Sequence, residues 1–190
     1  MESSELIRKM PFSLEAEQSV LGSILIDPEC FPEIASMLKS DDFYLESHAA
    51  IYLAMQDLFL QSRTIDVVTL IDALVKNGVY GTGDEGRKYI KIIAEIVPSA
   101  ANVKDYAKIV RAKNILRRLI GVCSEISDTA YSEQDDVTHL LDSAEQAIFA
   151  IAENNETKGF THIREAILAN YEHIKLLKTD KAAAAGQPTG

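Results

Sequence analysis

The sequence predicts an all-α chain, built as a compact helical bundle head, a long antiparallel helical hairpin and a C-terminal linker helix. Three observations predict it. Apolar residues recur at i, i+3, i+4 and i+7 along nearly the whole chain. No convincing pair of strands with a two-residue alternation is present. The 190 residues hold only 9 Gly and 5 Pro, too few for a disordered or fibrous chain.

Residues 1–12 read as a flexible N-terminal tail, and the head as 13–98. Ser13 is placed to cap the first helix, with Glu15 and Glu17 in the turn where a carboxylate meets the positive helix end. That helix carries Val20, Leu21, Ile24 and Leu25 and stops at Asp27, because Pro28 disfavours helical geometry in the residue before it. A short helix over 32–38 follows. Between 46 and 61, Ile51, Ala54, Met55, Leu58 and Phe59 form a core-facing stripe, with Tyr52, Leu53 and Leu60 expected to widen it. Asp66 caps the next helix, which repeats the spacing through Val67, Leu70, Ile71, Leu74 and Val75. Asn77-Gly78 ends it with a left-handed signal. Ile90, Ile93, Ala94 and Val97 mark one more helix before Pro98.

The hairpin is expected over 99–154. One uninterrupted helical pattern runs from Val103 to about Ala130, about 42 Å at 1.5 Å per residue. A polar turn at 131–135 leads to a second helix in which Val137, Leu141, Ala144, Ile148 and Ile151 are spaced 4-3-4-3, the seam of a coiled coil. Two long helices joined by a short turn lie antiparallel. Residues 155–190 read as a linker segment with a helix over 161–178, whose apolar face is Ile163, Ile167, Ile174 and Leu177.

Charge narrows the function classes. With 19 Lys+Arg against 29 Asp+Glu the net charge is −10, which opposes the counterion release that drives duplex-DNA binding. Residues 104–118 carry +5, leaving −15 on the remainder, and Lys104, Lys108, Arg111 and Arg118 share one helical face. That stripe reads as a solvated face paired with acidic neighbours, as a dock for an acidic partner, or as a weak DNA contact. Gly81-Thr82-Gly83-Asp84-Glu85-Gly86 matches G-x-G-x-x-G by letter only. It follows a helix rather than a strand, and Asp84 and Glu85 would repel phosphate, so a loop between helices is expected. His48, His139, His162 and His173 lack metal-ligand spacing. Cys30 and Cys123, 93 residues apart, read as free core thiols in a reducing cytosol. No catalytic residue, cofactor site or metal site is expected, and no membrane span.

Ordered blocks then point to a family. Pro11-Phe12-Ser13-Leu14-Glu15-Ala16-Glu17-Gln18-Ser19-Val20-Leu21-Gly22 resembles the opening of DnaB-type bacterial replicative helicases. Asp42-Phe43-Tyr44 with His48, and Ile65-Asp66-Val67-Val68-Thr69-Leu70, are similar to its next blocks. Val97-Pro98-Ser99-Ala100-Ala101-Asn102, Tyr106–Arg111 and Leu116–Ile120 resemble the start of its hairpin, and Gln187-Pro188-Thr189-Gly190 the approach to its motor domain.

The resemblance implies the N-terminal collar of a hexameric, ATP-driven DNA-unwinding motor in the bacterial cytoplasm. The collar would be a dimer or a trimer of dimers, with hairpins packed between subunits. It would bind primase and possibly a helicase loader, and the linker helix would dock on a neighbouring motor domain. ATP and Mg would belong to that motor domain, whose sequence signatures do not occur here, so no catalysis is expected from this chain. A stand-alone acidic helical adaptor is the alternative class.

Overall fold

A computed structural model describes residues 9–80, 83–132 and 136–155. The linker helix over 161–178, with Ile163, Ile167, Ile174 and Leu177, and the first eight residues of the tail lie outside the described residues. The described residues belong to one compact unit that ends at Asn155. Their regular elements are helices: α1 (Leu14–Ile26), α2 (Phe31–Met37), α3 (Glu46–Leu60), α4 (Val67–Lys76), α5 (Gly83–Ile96), α6 (Val103–Ser132) and α7 (Val137–Asn155).

Local chemistry sets most boundaries where the sequence places them. The Ser13 side chain accepts from the Ala16 amide at 3.3 Å, and Asp27 starts a 3-10 turn by accepting from the Glu29 amide at 3.2 Å. Asp66 accepts from the Val68 and Thr69 amides at 2.8 and 2.9 Å, while the Thr69 hydroxyl accepts from the Asp66 amide at 3.1 Å. Each interaction satisfies N–H groups that have no partner inside the helix. Gly78 sits at φ +72°, the left-handed conformation that ends α4.

α1 is the axle of the head. Val20, Leu21 and Ile24 are fully buried, and α1 packs against α3, α5 and α6. Its crossing with α5 is so close that a Cβ on Gly22 would overlap the Ile93 carbonyl. Phe31 and Ile34 of α2, Ile51, Tyr52, Met55 and Leu58 of α3, Leu70 and Leu74 of α4, and Ile90 and Ile93 of α5 complete the core. The Tyr52 hydroxyl donates to the Leu38 carbonyl at 3.1 Å. Burial against Asp42 in this setting drives its pKa above the ordinary tyrosine value.

Three expectations change. Leu53 and Leu60 do not widen the α3 stripe, and Phe59 and Val75 fall at the edge of theirs: all four are exposed, because α3 and α4 are covered on one side, although the Phe59 ring still lies 5.1 Å from Phe31. Residues 83–86 are not a loop but the first turn of α5. Asp84 and Glu85 suit the positive end of a helix, and Gly86 leaves room for the Tyr80 ring against it. The polar segment from Tyr131 does not break the helix at once, since α6 continues to Ser132.

α6 has two halves. Val103, Ala107 and Val110 are buried in the head core. Asn114 and Arg117 are the last residues of α6 bonded to the head; past them the helix extends away, and α7 packs back along it. At 30 residues α6 spans about 45 Å.

Candidate protein-interaction surfaces

The hairpin is rooted by a knot of polar groups at the base of α6. Arg117 donates to the Pro11 carbonyl at 3.0 Å and to the Asp42 carbonyl at 2.7 Å. Asn114 donates to Oδ1 of Asp42 at 2.5 Å, while the Lys39 amide donates to Oδ2 at 2.6 Å. Tyr44 lies between Phe12, stacked at 4.5 Å, and the Arg117 guanidinium, 5.5 Å from its ring centroid. Burial lowers the Arg117 pKa, while Glu17, Asp42 and Tyr44 oppose that shift.

Behind this knot Glu17 is 1 % exposed. Its carboxylate accepts from the Tyr44 amide at 2.8 Å and the Leu45 amide at 3.4 Å. These are orphan N–H groups ahead of α3, a helix whose own N-cap residue, Leu45, supplies no side-chain bond. Glu17 also meets Nδ1 of His48 at 2.7 Å, and Nε2 of His48 meets the Tyr89 hydroxyl at 2.6 Å. With the ring proton on Nδ1, His48 donates to Glu17 and accepts from Tyr89, and Gln18 donates to the Tyr89 oxygen at 3.3 Å. The chain thus links α1, α3 and α5. It has the composition of a proton relay, but His48 is fully buried and both its ring nitrogens are taken, by Glu17 and Tyr89. Phe12, Glu17, Asp42, Tyr44 and His48 carry the family resemblance, and the fold brings all five into this one fastening. Sequence spacing leaves His48 isolated, since Glu17 and Tyr89 lie 31 and 41 residues from it.

The basic face splits into two uses. Lys104 pairs with Glu33 on α2 at 2.6 Å, and Lys108 with Asp105 one turn back at 2.8 Å. The Asp105 carboxyl is held below its ordinary value by the hydrogen bond from Lys108. Arg111 turns inward and donates to the Met37 carbonyl at 2.6 Å, covering the open end of α2. Arg118 stays exposed on the rim of a cleft between the head and the hairpin.

The hairpin surface is apolar on more than one side. The seam expected from Val137, Leu141, Ala144, Ile148 and Ile151 divides: Ile151 is buried and Ala144 half-buried, whereas Val137, Leu141 and Ile148 are 69, 65 and 47 % exposed. The covered positions of α7 are Leu140, Ala144, Ala147 and Ile151, a 4-3-4 stripe one notch aside. On α6 the sequence reading missed a second seam. Ile109, Ala112, Leu116, Leu119 and Cys123 recur at 3-4-3-4 spacing and all are exposed. The 3-4-3-4 spacing is legible in the sequence, beside the basic face of Lys104, Lys108, Arg111 and Arg118. Cys123 is therefore not a core thiol. Cys30 is half-buried, and desolvation pushes its pKa up to about 11.

Among the described residues no group of three or more His, Cys, Asp or Glu could hold a metal. No helix among them is long and apolar enough to cross a membrane.

Comparison with known proteins agrees with this architecture. The replicative DNA helicase DnaC of Bacillus subtilis (strain 168) is 38 % identical over 183 residues, 96 % of this chain and 40 % of the relative. The replicative DNA helicase DnaB of Geobacillus stearothermophilus is 33 % identical over 95 % of this chain and 39 % of its own length. The chain thus spans about two fifths of the length of these curated relatives. The crystal structure of the N-terminal domain of DnaB helicase from Mycobacterium tuberculosis superposes with a TM-score of 0.70 at 33 % identity, covering 75 % of this chain and 99 % of that domain. A DnaB-like replicative helicase whose structure was described with its interactions with primase shares the fold, with a TM-score of 0.57 at 24 % identity over 86 % of this chain and 35 % of that one. Residues 9–112 match the family described as DnaB-like helicase N terminal domain, and the chain belongs to that family.

Proposed function

We propose that this chain is the oligomerising and partner-docking collar of a replicative DNA helicase that unwinds DNA with ATP. The observation that carries the reading is the apolar surface of the hairpin beyond the head. Leu116, Leu119 and Cys123 on α6, and Val137, Leu141 and Ile148 on α7, stand exposed at seam spacing, whereas the head buries the centre of each apolar stripe and exposes residues beside it, such as Leu53 and Leu60. Contiguous exposed apolar surface on a soluble protein marks an interface, and a 3-4-3-4 seam fits another helix. The occupant is a second copy, giving a dimer that can build a hexamer as a trimer of dimers.

Docking of primase on the assembled collar is part of the same proposal, supported by family membership. A loader contact, and docking of Ile163, Ile167, Ile174 and Leu177 on a neighbouring motor domain, belong to the same proposal. The acidic head, carrying most of the −10 charge, leaves little direct role in holding DNA.

Sedimentation of the full chain tests the assembly. Association that Ile148→Asp weakens while helicity is unchanged is the expected result. A strict monomer at high micromolar concentration overturns it.

A further inference from the structure

We infer that the cleft between the head and the root of the hairpin binds an acidic protein segment through an apolar anchor residue flanked by carboxylates. The inference rests on the collar reading in one respect, that this chain is a docking platform. It concerns a different surface from the hairpin seam.

The cleft has a volume of about 470 Å³ and three walls. Arg111, Ile115 and Arg118 come from one face of α6 at i, i+4 and i+7 spacing, the end of α7 brings Ile151 to the same cleft, and the turn at Lys39–Asp42 closes the head side. Apolar floor and charged rim together are the make-up of a specific ligand site.

The charges inside are not equivalent. Asp42 is occupied on both oxygens, by the Lys39 amide and by Asn114. Arg111 is anchored on the Met37 carbonyl. Lys39 and Arg118 are exposed and, among the described residues, have no carboxylate within ion-pair distance. Two available cations therefore overlook Ile115 and Ile151, in a chain whose overall charge is −10. The other cations of the predicted stripe, Lys104 and Lys108, already hold carboxylates.

A carboxylate-bearing peptide fits this better than a nucleic acid does. Side-chain carboxylates can reach Lys39 and Arg118 and avoid Asp41, also in the cleft, whereas closely spaced phosphates would meet it. The negative body acts over about 10 Å at 0.1 M salt and opposes a long polyanion more than a short segment. A peptide also supplies the apolar side chain that the Ile115–Ile151 floor would cover, adding burial to charge.

The test is fluorescence anisotropy on the full chain, using a labelled acidic peptide with one leucine between paired glutamates. We expect saturable binding that Arg118→Glu weakens about tenfold or more and that Lys104→Glu leaves within twofold. The same peptide with glutamines for glutamates should lose binding. If Arg118→Glu lowers helicity, the double variant Lys39→Ala, Arg118→Ala reads the same loss. No saturable binding, or loss caused equally by Lys104→Glu, overturns the inference. Tighter binding of a labelled oligothymidine that depends on the same residues overturns it in favour of a nucleic-acid site. Sedimentation of Arg118→Glu separates the two readings: unchanged association with lost peptide binding leaves the assembly proposal standing.

Discussion

The head and the outer hairpin are built from similar amphipathic helices, yet they use their apolar residues in opposite ways. In the head, Ile24, Ile51, Leu74 and Ile93 are completely buried against one another. In the hairpin, Ile120 is 44 % and Leu141 65 % exposed although both lie in equally regular helices. A two-helix layer can cover only one stripe per helix, so any apolar residue outside that stripe must face water or another chain. The head is a finished core; the hairpin is half of one. The fastening at Glu17, Asp42, His48, Asn114 and Arg117 joins the two, because it fixes the direction in which α6 leaves the head.

This contrast orders the expected effects of mutation. The largest belongs to Glu17→Ala. It strips the Tyr44 and Leu45 amides and His48 of their acceptor inside the head, and three unsatisfied groups should lower stability by about 4 kcal/mol in urea unfolding. A loss below about 1 kcal/mol would show that water replaces the carboxylate and that the fastening is dispensable. Gly22→Ala comes next. Its methyl group meets backbone at Ile93 rather than a yielding side chain, so α1 and α5 must separate, at a cost of about 3 kcal/mol. A substitution without effect would mean that the head is looser than its burial implies.

Ile148→Asp probes the other side of the contrast. It should leave monomer stability within about 0.5 kcal/mol, since the side chain is already half in water, and weaken association about tenfold or more. Ile24→Ala should do the reverse, losing about 3 kcal/mol of stability with little specific effect on assembly. If both variants unfold the chain alike, the division into finished and unfinished regions fails.

The two thiols report the same difference without mutation. Cys123 lies exposed on the α6 seam, whereas Cys30 is half-buried with its pKa pushed up to about 11. At pH 8 only a thiolate reacts readily, so a maleimide should label Cys123 far faster than Cys30. Labelling of Cys123 should slow as protein concentration rises, if a second copy covers the seam. Equal rates at all concentrations would remove α6 from the interface. The smallest effect is expected of Lys104→Ala. Its pair with Glu33 is more than half exposed, and unfolding should register about 0.5 kcal/mol or less.

Much of this is legible in the sequence. The caps at Ser13 and Asp66, the left-handed stop at Gly78 and the long run of α6 follow from short-range rules, in which each residue acts on neighbours within four positions. The DnaB-type blocks were legible for the same reason, being local strings. What spacing alone misjudged were the faces. Leu53 and Leu60 sit beside a genuine core stripe but fall on the uncovered side of α3. The stripe of α7 that α6 covers, Leu140, Ala144, Ala147 and Ile151, lies one notch from Val137, Leu141 and Ile148, because which stripe is covered depends on how α6 lies against it. Arg111 looked like part of a solvated stripe until α2 placed the Met37 carbonyl beside it.

The sequence by itself therefore determined helix content, most helix limits and family, since periodicity, capping and motif strings act along the chain. Only the tertiary structure decided that Glu17, His48 and Tyr89 meet, that Asp42 and Arg117 lock the hairpin to the head, and that Lys39 joins Arg118 at one cleft. These contacts span tens of residues, and no local rule encodes which distant side chain will arrive. They arise from the way the buried stripes of α1, α3, α5 and α6 exclude water together, and the polar partners are placed by that packing.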